Sequence, residues 1–391
     1  MSRAILVVLD SVGIGGAPDA GDFGDRGANT VGHIAEALAG SDAPLRLPNL
    51  DAMGLGAAVR LASGLDAPGL DAVPDGLWGA AEEISRGKDT PSGHWELAGV
   101  PVPWDWTYFP AGDPAFPPEL SAKVAARAGT DGILGDCHAS GTLIVDRLGA
   151  EHLRTGWPIC YTSTDSVFQI AAHEEVFGLD RLLDLCATLA PELHAMRVGR
   201  VIARPFTGEE GAFIRTSNRR DFAIEPPAPT LCDWVSEAGG DVHSIGKIRD
   251  IFSGRGIDTF AKGTDRELFD ALAGRMEAAS DGGLIFANFV EFDSVYGHRR
   301  DPAGYARHLE WFDAKLPDLW RRLRADDLLV ITADHGNDPT WRGTDHTRER
   351  VPVLVTGAGT GEIGHCAFAD VAASVAAHLG VPNAGPGRSF L

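Results

Sequence analysis

Three apolar runs, each emptying into an aspartate or a histidine, constrain this chain more than any other feature. Ala4 to Leu9 delivers Asp10, Leu284 to Val290 leads to Asp293 and His298, and Leu328 to Ala333 delivers Asp334 and His335. Continuous runs of branched and aliphatic residues read as strands covered on both faces, the pattern of a parallel sheet. In open α/β sheets ligands bind at the carboxyl ends of the strands. A further run, Val351 to Val355, lies just beyond His346. The pattern predicts an α/β fold whose central, mostly parallel sheet is flanked by helices and carries one site at its carboxyl edge.

Between these runs, Ser11 to Gly16 reads as a tight turn that lets a ligand approach Asp10, since the G-x-G-x-x-G spacing of a dinucleotide site is missing. Asn29 to Leu38 and Pro302 to about Leu323 carry helical patterns. At 391 residues the chain is long enough for two domains. Pro101 to Trp106, with Pro110, Pro114, Pro117 and Pro118, forms a proline-rich connector, and Pro226-Pro227-Ala228-Pro229 forms a second. Short apolar runs between them (Pro158 to Tyr161, Arg200 to Ala203, Ala212 to Ile214) alternate with helical patterns such as Leu179 to Leu189. The expected organisation is a discontinuous catalytic core, residues 1–98 and 222–391, with a smaller α/β cap inserted at 99–221.

Asp10, Asp293, His298, Asp334, His335 and His346 are the candidate metal ligands. Carboxylate with imidazole and no cysteine suits zinc or manganese, and six such ligands with a bridging hydroxyl would suffice for two ions. A pair of cations roughly 3.5–4 Å apart clamps the attacking and leaving oxygens of a phosphoryl transfer and can turn a hydroxyl into a nucleophile. The hydroxyl on offer is Thr90. It stands before Pro91, a residue at home in a first helical turn, so Thr90 is expected at the N-cap, where backbone N–H groups and the helix dipole favour negative charge.

The net charge of −21 argues against nucleic acid or anionic membranes as partners. It also requires a local positive site for any phosphate, which bound cations would provide. Five scattered cysteines without a C-x-x-C pair fit reduced thiols. The N-terminal apolar run is too short for a signal peptide and ends in an aspartate, and no run approaches the ~20 residues of a membrane span. A cytoplasmic location is expected.

Taken together, Asp10-Ser11-Val12-Gly13-Ile14-Gly15, Lys88-Asp89-Thr90-Pro91-Ser92-Gly93-His94, Asp293 to Pro302, Asp334-His335-Gly336-Asn337-Asp338-Pro339 and Thr344-Asp345-His346-Thr347 resemble the phosphopentomutase family of the alkaline phosphatase superfamily. The likeness runs nearly end to end. It implies an alkaline phosphatase-like core and a phosphorylated Thr90 between two manganese ions. One ion would be held by Asp10, Asp334 and His335, the other by Asp293, His298 and His346. Tyr161 to Glu174 and Gly199 to Pro205 are also similar to the family's pattern; on that match Asp165 would contact ribose hydroxyls, while Arg200 and Lys247 would face the distal phosphate. A guanidinium suits bidentate phosphate contact and an ammonium a point charge. Asp136 departs from the pattern, where relatives often carry asparagine. His94, His138 and His173 lie in motif-like stretches and are read as hydrogen-bonded structural residues.

The activity implied is interconversion of α-D-ribose 1-phosphate and D-ribose 5-phosphate, and of the 2-deoxyribose pair, through a 1,5-bisphosphate. A sugar bisphosphate, ribose 1,5-bisphosphate or glucose 1,6-bisphosphate, would prime Thr90. The partner expected is a small sugar phosphate, and a cap that moves suits a monomer. A phosphatase or phosphodiesterase using Thr90 and water is the alternative on the same scaffold, and a non-catalytic metal-binding protein the alternative from another class.

Overall fold

Residues 2–163 and 165–391 are described by a computed structural model in which the three apolar runs become neighbouring parallel strands. Thr164, within the motif-like stretch Tyr161 to Glu174, lies outside the described residues. The chain divides into two compact units, Met1–Pro103 with Pro226–Leu391, and Trp104–Glu225. Both divisions fall in proline-rich stretches.

In the larger unit the strands are β1 (Ala4–Leu9) and β2 (Leu77–Glu82); in the smaller, β3 (Leu134–His138), β4 (Ile159–Thr162), β5 (Val167–His173), β6 (Arg200–Thr207), β7 (Ile214–Arg215) and β8 (Arg220–Ala223). The larger unit resumes with β9 (Val242–Ile245), β10 (Thr259–Ala261), β11 (Leu284–Phe289), β12 (Leu328–Thr332), β13 (Val351–Thr356) and β14 (Gly361–Ala367).

The large sheet runs β10-β9-β11-β1-β12-β13-β2-β14. Within it β13 pairs antiparallel with both neighbours, and the other pairings are parallel. Strands β1, β11 and β12 are buried along their whole length, each Val, Leu, Ile or Phe side chain contributing about 1.5–3 kcal/mol by leaving water. The register sets Val8 against both Asn288 and Thr332, so the carboxyl ends of all three strands open at one edge. The smaller unit holds a sheet of order β3-β4-β5-β6-β7, with β8 also pairing β6.

At the opposite, amino end of β1, Arg3 is fully buried and donates from Nε to Asp327 Oδ1 at 3.0 Å. On the face of the sheet, the helix Pro302–Trp320 buries Tyr305, Leu309, Phe312 and Leu316. Phe312 meets Phe289 of β11 edge-on at 5.1 Å between ring centroids.

The Thr90 helix spans Thr90–Leu97, and here the structure corrects the expected cap. Asp89, not Thr90, is the N-cap: its backbone is extended (φ −121°, ψ 156°) and Oδ1 accepts from Ser92 N at 3.0 Å. Thr90 is the first helical residue and Pro91 the second, so the threonine hydroxyl is not consumed in capping. Glu96, fully buried, accepts from Ile84 N (2.9 Å) and Ser85 N (2.8 Å), tying the helix to the segment that precedes it. Gly93 faces the Asp334 backbone so closely that a Cβ there would collide with the Asp334 carbonyl oxygen. Only glycine lets this helix approach the end of β12.

No helix among the described residues is long and apolar enough to cross a membrane. All five cysteines are unpaired thiols, four buried and Cys366 partly so.

Candidate active site

Asp10 follows β1 directly, and Ser11 after it takes a left-handed backbone (φ 71°) that turns the chain sharply. That turn aims Ser11 N at Asp334 Oδ1, 3.1 Å away. Asp334 and His335 follow β12. Asp293 sits in a π-helical turn, Phe292–Gly297, after β11, and His298 caps that turn. His346 comes from the loop before β13. The sheet thus gathers all six expected ligands at one edge.

Two buried sets converge: Asp10, Asp334 and His335; and Asp293, His335 and His346. His335 Nε2 lies 3.3 Å from Asp334 Oδ2 and 3.6 Å from Asp10 Oδ1. His298 Nε2 lies 3.2 Å from Asp293 Oδ2, and His346 Nε2 lies 3.4 Å from Asp293 Oδ1. The Nε2 atoms of His298 and His346 are 3.2 Å apart, and the His335 and His346 rings stack at 4.1 Å. Thr90 Oγ1 lies 3.4 Å from His335 Nε2.

The outer nitrogens of these rings are fixed by backbone carbonyls: His298 Nδ1 by Thr344 O (2.7 Å), His346 Nδ1 by Lys88 O (2.7 Å) and His335 Nδ1 by Gly336 O (3.1 Å). Donation from Nδ1 leaves the Nε2 lone pair pointing inward, the tautomer a metal ligand needs. Among the described residues Asp10 Oδ1 is buried with no hydrogen-bond partner, a costly state for a carboxylate oxygen. These observations fit a divalent cation.

The electrostatics agree. Burial and then the adjacent Asp334 charge push the Asp10 carboxyl up to about 6. Burial acts in the same direction on Asp334, but His335 and His94 outweigh it and hold that carboxyl far below the usual range. Asp293 is likewise held well down by His346 and His298 against the cost of burial. His335 is raised well above its ordinary value, since Asp334, Asp10 and Asp293 overcome its burial. Crowded carboxylates demand positive charge here.

Of the expected substrate contacts, Lys247 puts Nζ 3.7 Å from Asp10 Oδ2, half exposed at the rim. Within the smaller unit Arg200 donates to Asp165 Oδ2 at 3.2 Å and lies 3.7 Å from Asp221. Asp136, the departure from the family pattern, has φ 48° and accepts from Ala115 N (3.0 Å), Phe116 N (2.7 Å) and Ser121 Oγ (2.9 Å), a load that its carboxylate carries with both oxygens. His138 is spent on Phe109 O, and His173 accepts from Glu175 N and donates to Gly208 O.

Other residues that contact the cluster are not evident from the pattern of strand ends. His94, one helical turn after Thr90, points Nδ1 at Thr90 O (2.9 Å) and Asp334 Oδ2 (3.0 Å). Asn288 Nδ2 donates to Asp10 Oδ2 (3.3 Å) and Asn337 Nδ2 to Asp293 Oδ1 (2.7 Å). Their only signal was membership of, or closeness to, the motif stretches.

Residues 2–383 match the Metalloenzyme superfamily. Phosphopentomutase of Sinorhizobium medicae (strain WSM419) is 57% identical over 409 residues, covering the whole of both chains. The chain belongs to the phosphopentomutase family. Its enzyme class is therefore that of isomerases that move a phosphoryl group within the substrate, and it depends on divalent metal. Phosphopentomutase of Methylobacterium nodulans (strain LMG 21967 / CNCM I-2342 / ORS 2060) is also 57% identical, over 408 residues and the whole of both chains. Among solved structures, a phosphoglycerate mutase of Leishmania mexicana aligns over 98% of this phosphopentomutase-family chain and 97% of its own, at 12% identity and a TM-score of 0.49.

Proposed function

We propose that this protein interconverts α-D-ribose 1-phosphate and D-ribose 5-phosphate, and the 2-deoxyribose pair, with Thr90 as the residue that carries the phosphoryl group. The observation that supports it most is the position of Thr90 Oγ1. It is free of capping duty in the first turn of a helix and 3.4 Å from His335 Nε2, beside the converging ligand atoms.

Asp10, Asp334 and His335 would hold one cation and Asp293, His298 and His346 the other, manganese being the ion we assign. Cations bound there would neutralise the three carboxylates and lower the pKa of the Thr90 hydroxyl. The rest falls to the chain. Phospho-Thr90 passes its group to O5 of ribose 1-phosphate: the Oγ–P bond breaks, the O5–P bond forms and the O5 proton leaves. Oγ then attacks the phosphorus on O1 of the bisphosphate, the P–O1 bond breaks, and ribose 5-phosphate leaves as O1 takes up a proton. The positive end of the helix dipole favours the negative charge that gathers on the transferring group. Lys247 and Arg200 are assigned to the phosphate that is not being transferred, and Asp165 to the ribose hydroxyls. A first turnover needs a bisphosphate, ribose 1,5-bisphosphate or glucose 1,6-bisphosphate, to load Thr90. We assign the enzyme to the cytoplasm as a monomer.

The test is peptide mass spectrometry after incubation with manganese and glucose 1,6-bisphosphate. One phosphoryl group on Thr90, discharged by added ribose 5-phosphate, is the expected result. A phosphoryl group on any other residue, or none, contradicts the assignment.

A further inference from the structure

Two of the three residues assigned to the second cation come from one irregular turn and the third from a loop, so none stands on a strand. The side chain of His298 is 38% exposed. Ligands so placed need something else to fix them, because a metal site tolerates little error in ligand position.

Arg300 stands where the two segments meet. Its backbone is left-handed (φ 55°), a strained state for a residue with a Cβ that persists only when the surroundings impose it. Its guanidinium donates from Nε to Gly343 O (2.7 Å), from Nη1 to Gly297 O (2.9 Å) and from Nη2 to Asp345 O (2.8 Å), and also from Nη1 to Asn337 Oδ1. Gly297 and Asp345 are the residues immediately before His298 and His346. One planar fork therefore pins the peptide leading into each histidine.

The fourth contact reaches the carboxylate. A guanidinium has no acceptor, so the Asn337 amide must turn its oxygen toward Arg300. Its Nδ2 is then committed to Asp293 Oδ1, at 2.7 Å. Arg300 thus governs the placement of all three ligands while touching none of them.

We infer that Arg300 is the positioning residue of the second cation site, acting through two loop peptides and Asn337. The inference rests on the two-cation reading above. A lysine could not replace it, because an ammonium lacks the flat fork that reaches several carbonyls at once.

The test uses the full-length wild-type protein, R300A and R300K, stripped of metal and titrated with manganese alone by calorimetry and by electron paramagnetic resonance of bound ion. Wild type should bind two ions. Both variants should keep one tight ion, with the second weakened about 10–100-fold, the usual cost of losing a partner behind a ligand. Wild-type affinity at both sites in R300A and R300K overturns the role of Arg300. A wild-type protein that binds a single ion overturns the two-cation reading itself. Circular dichroism reports folding; should R300A not fold, R300K decides, and if neither folds Arg300 is a general structural residue and the inference fails.

Discussion

His94 Nδ1 lies 3.0 Å from Asp334 Oδ2, and the same nitrogen lies 2.9 Å from the Thr90 carbonyl oxygen. The ring therefore links the Thr90 peptide to the carboxylate of Asp334, a candidate metal ligand. The ring is fully buried and stacks on Phe286 at 6.1 Å. Replacing it by phenylalanine keeps the packing and deletes the tie. We expect His94→Phe to weaken the tighter manganese site by about 10–100-fold and to slow loading of Thr90. Unchanged affinity, measured by calorimetry, would count against a role beyond packing.

Glu349 offers a pH test away from the ligands. It is fully buried beneath the site and accepts from Gly15 N (3.2 Å), Thr30 N (2.9 Å) and the hydroxyls of Thr30 (2.7 Å) and Thr347 (2.6 Å). Burial first, and the Asp338 charge second, push its carboxyl from 4.5 up to about 7. Between those values the folded protein holds a proton that the unfolded chain has lost. Stability from this group is fully present below about 4.5 and is lost as pH rises through about 7. Glu349→Gln should flatten that part of the stability–pH curve relative to wild type in denaturant titrations. Two parallel curves would contradict it.

At the far end of β1, removing Arg3 leaves the Asp327 carboxylate, 2% exposed, without its guanidinium partner, the Arg324 N–H at 2.8 Å remaining. Breaking one partner of a buried pair costs about 3–5 kcal/mol. Arg3→Ala should lose that much in urea unfolding of the metal-free protein. A loss below about 1 kcal/mol, the scale of an exposed ion pair, would show that water reaches the site.

Metal should also act as a stabiliser. An ion that binds only the folded state at a hundred times its Kd adds about 2.7 kcal/mol. Manganese should therefore raise the melting temperature of stripped protein, and Asp334→Asn should lose most of the rise. Identical melting with and without manganese would speak against a cation among these carboxylates.

The sheet centre was legible because β1, β11 and β12 are buried on both faces and so read as unbroken apolar runs. The candidate site residues could be picked out as a group because each follows such a run or lies in a motif. The outer strands were not. Leu77–Glu82 and Gly361–Ala367 mix glycine, charge and apolar residues, and their extended form comes from pairing with each other and, for the first, with β13. The N-cap was misread because Asp89 and Thr90 are both good caps and adjacent; only the backbone geometry separates them. Asn337 and Arg300 stayed hidden for a different reason, and His94 was legible only as a hydrogen-bonded structural residue. They act through another residue's carbonyl or carboxylate, and that relationship exists only once distant segments meet.

The most direct measurement follows ribose 1-phosphate with manganese and a trace of glucose 1,6-bisphosphate, recording ribose 5-phosphate and inorganic phosphate together, with Thr90→Ala alongside. If phospho-Thr90 hands its group to a sugar, ribose 5-phosphate accumulates with little free phosphate, and the variant forms none. Free phosphate as the main product, or a Thr90→Ala protein that still converts the sugar, would contradict it.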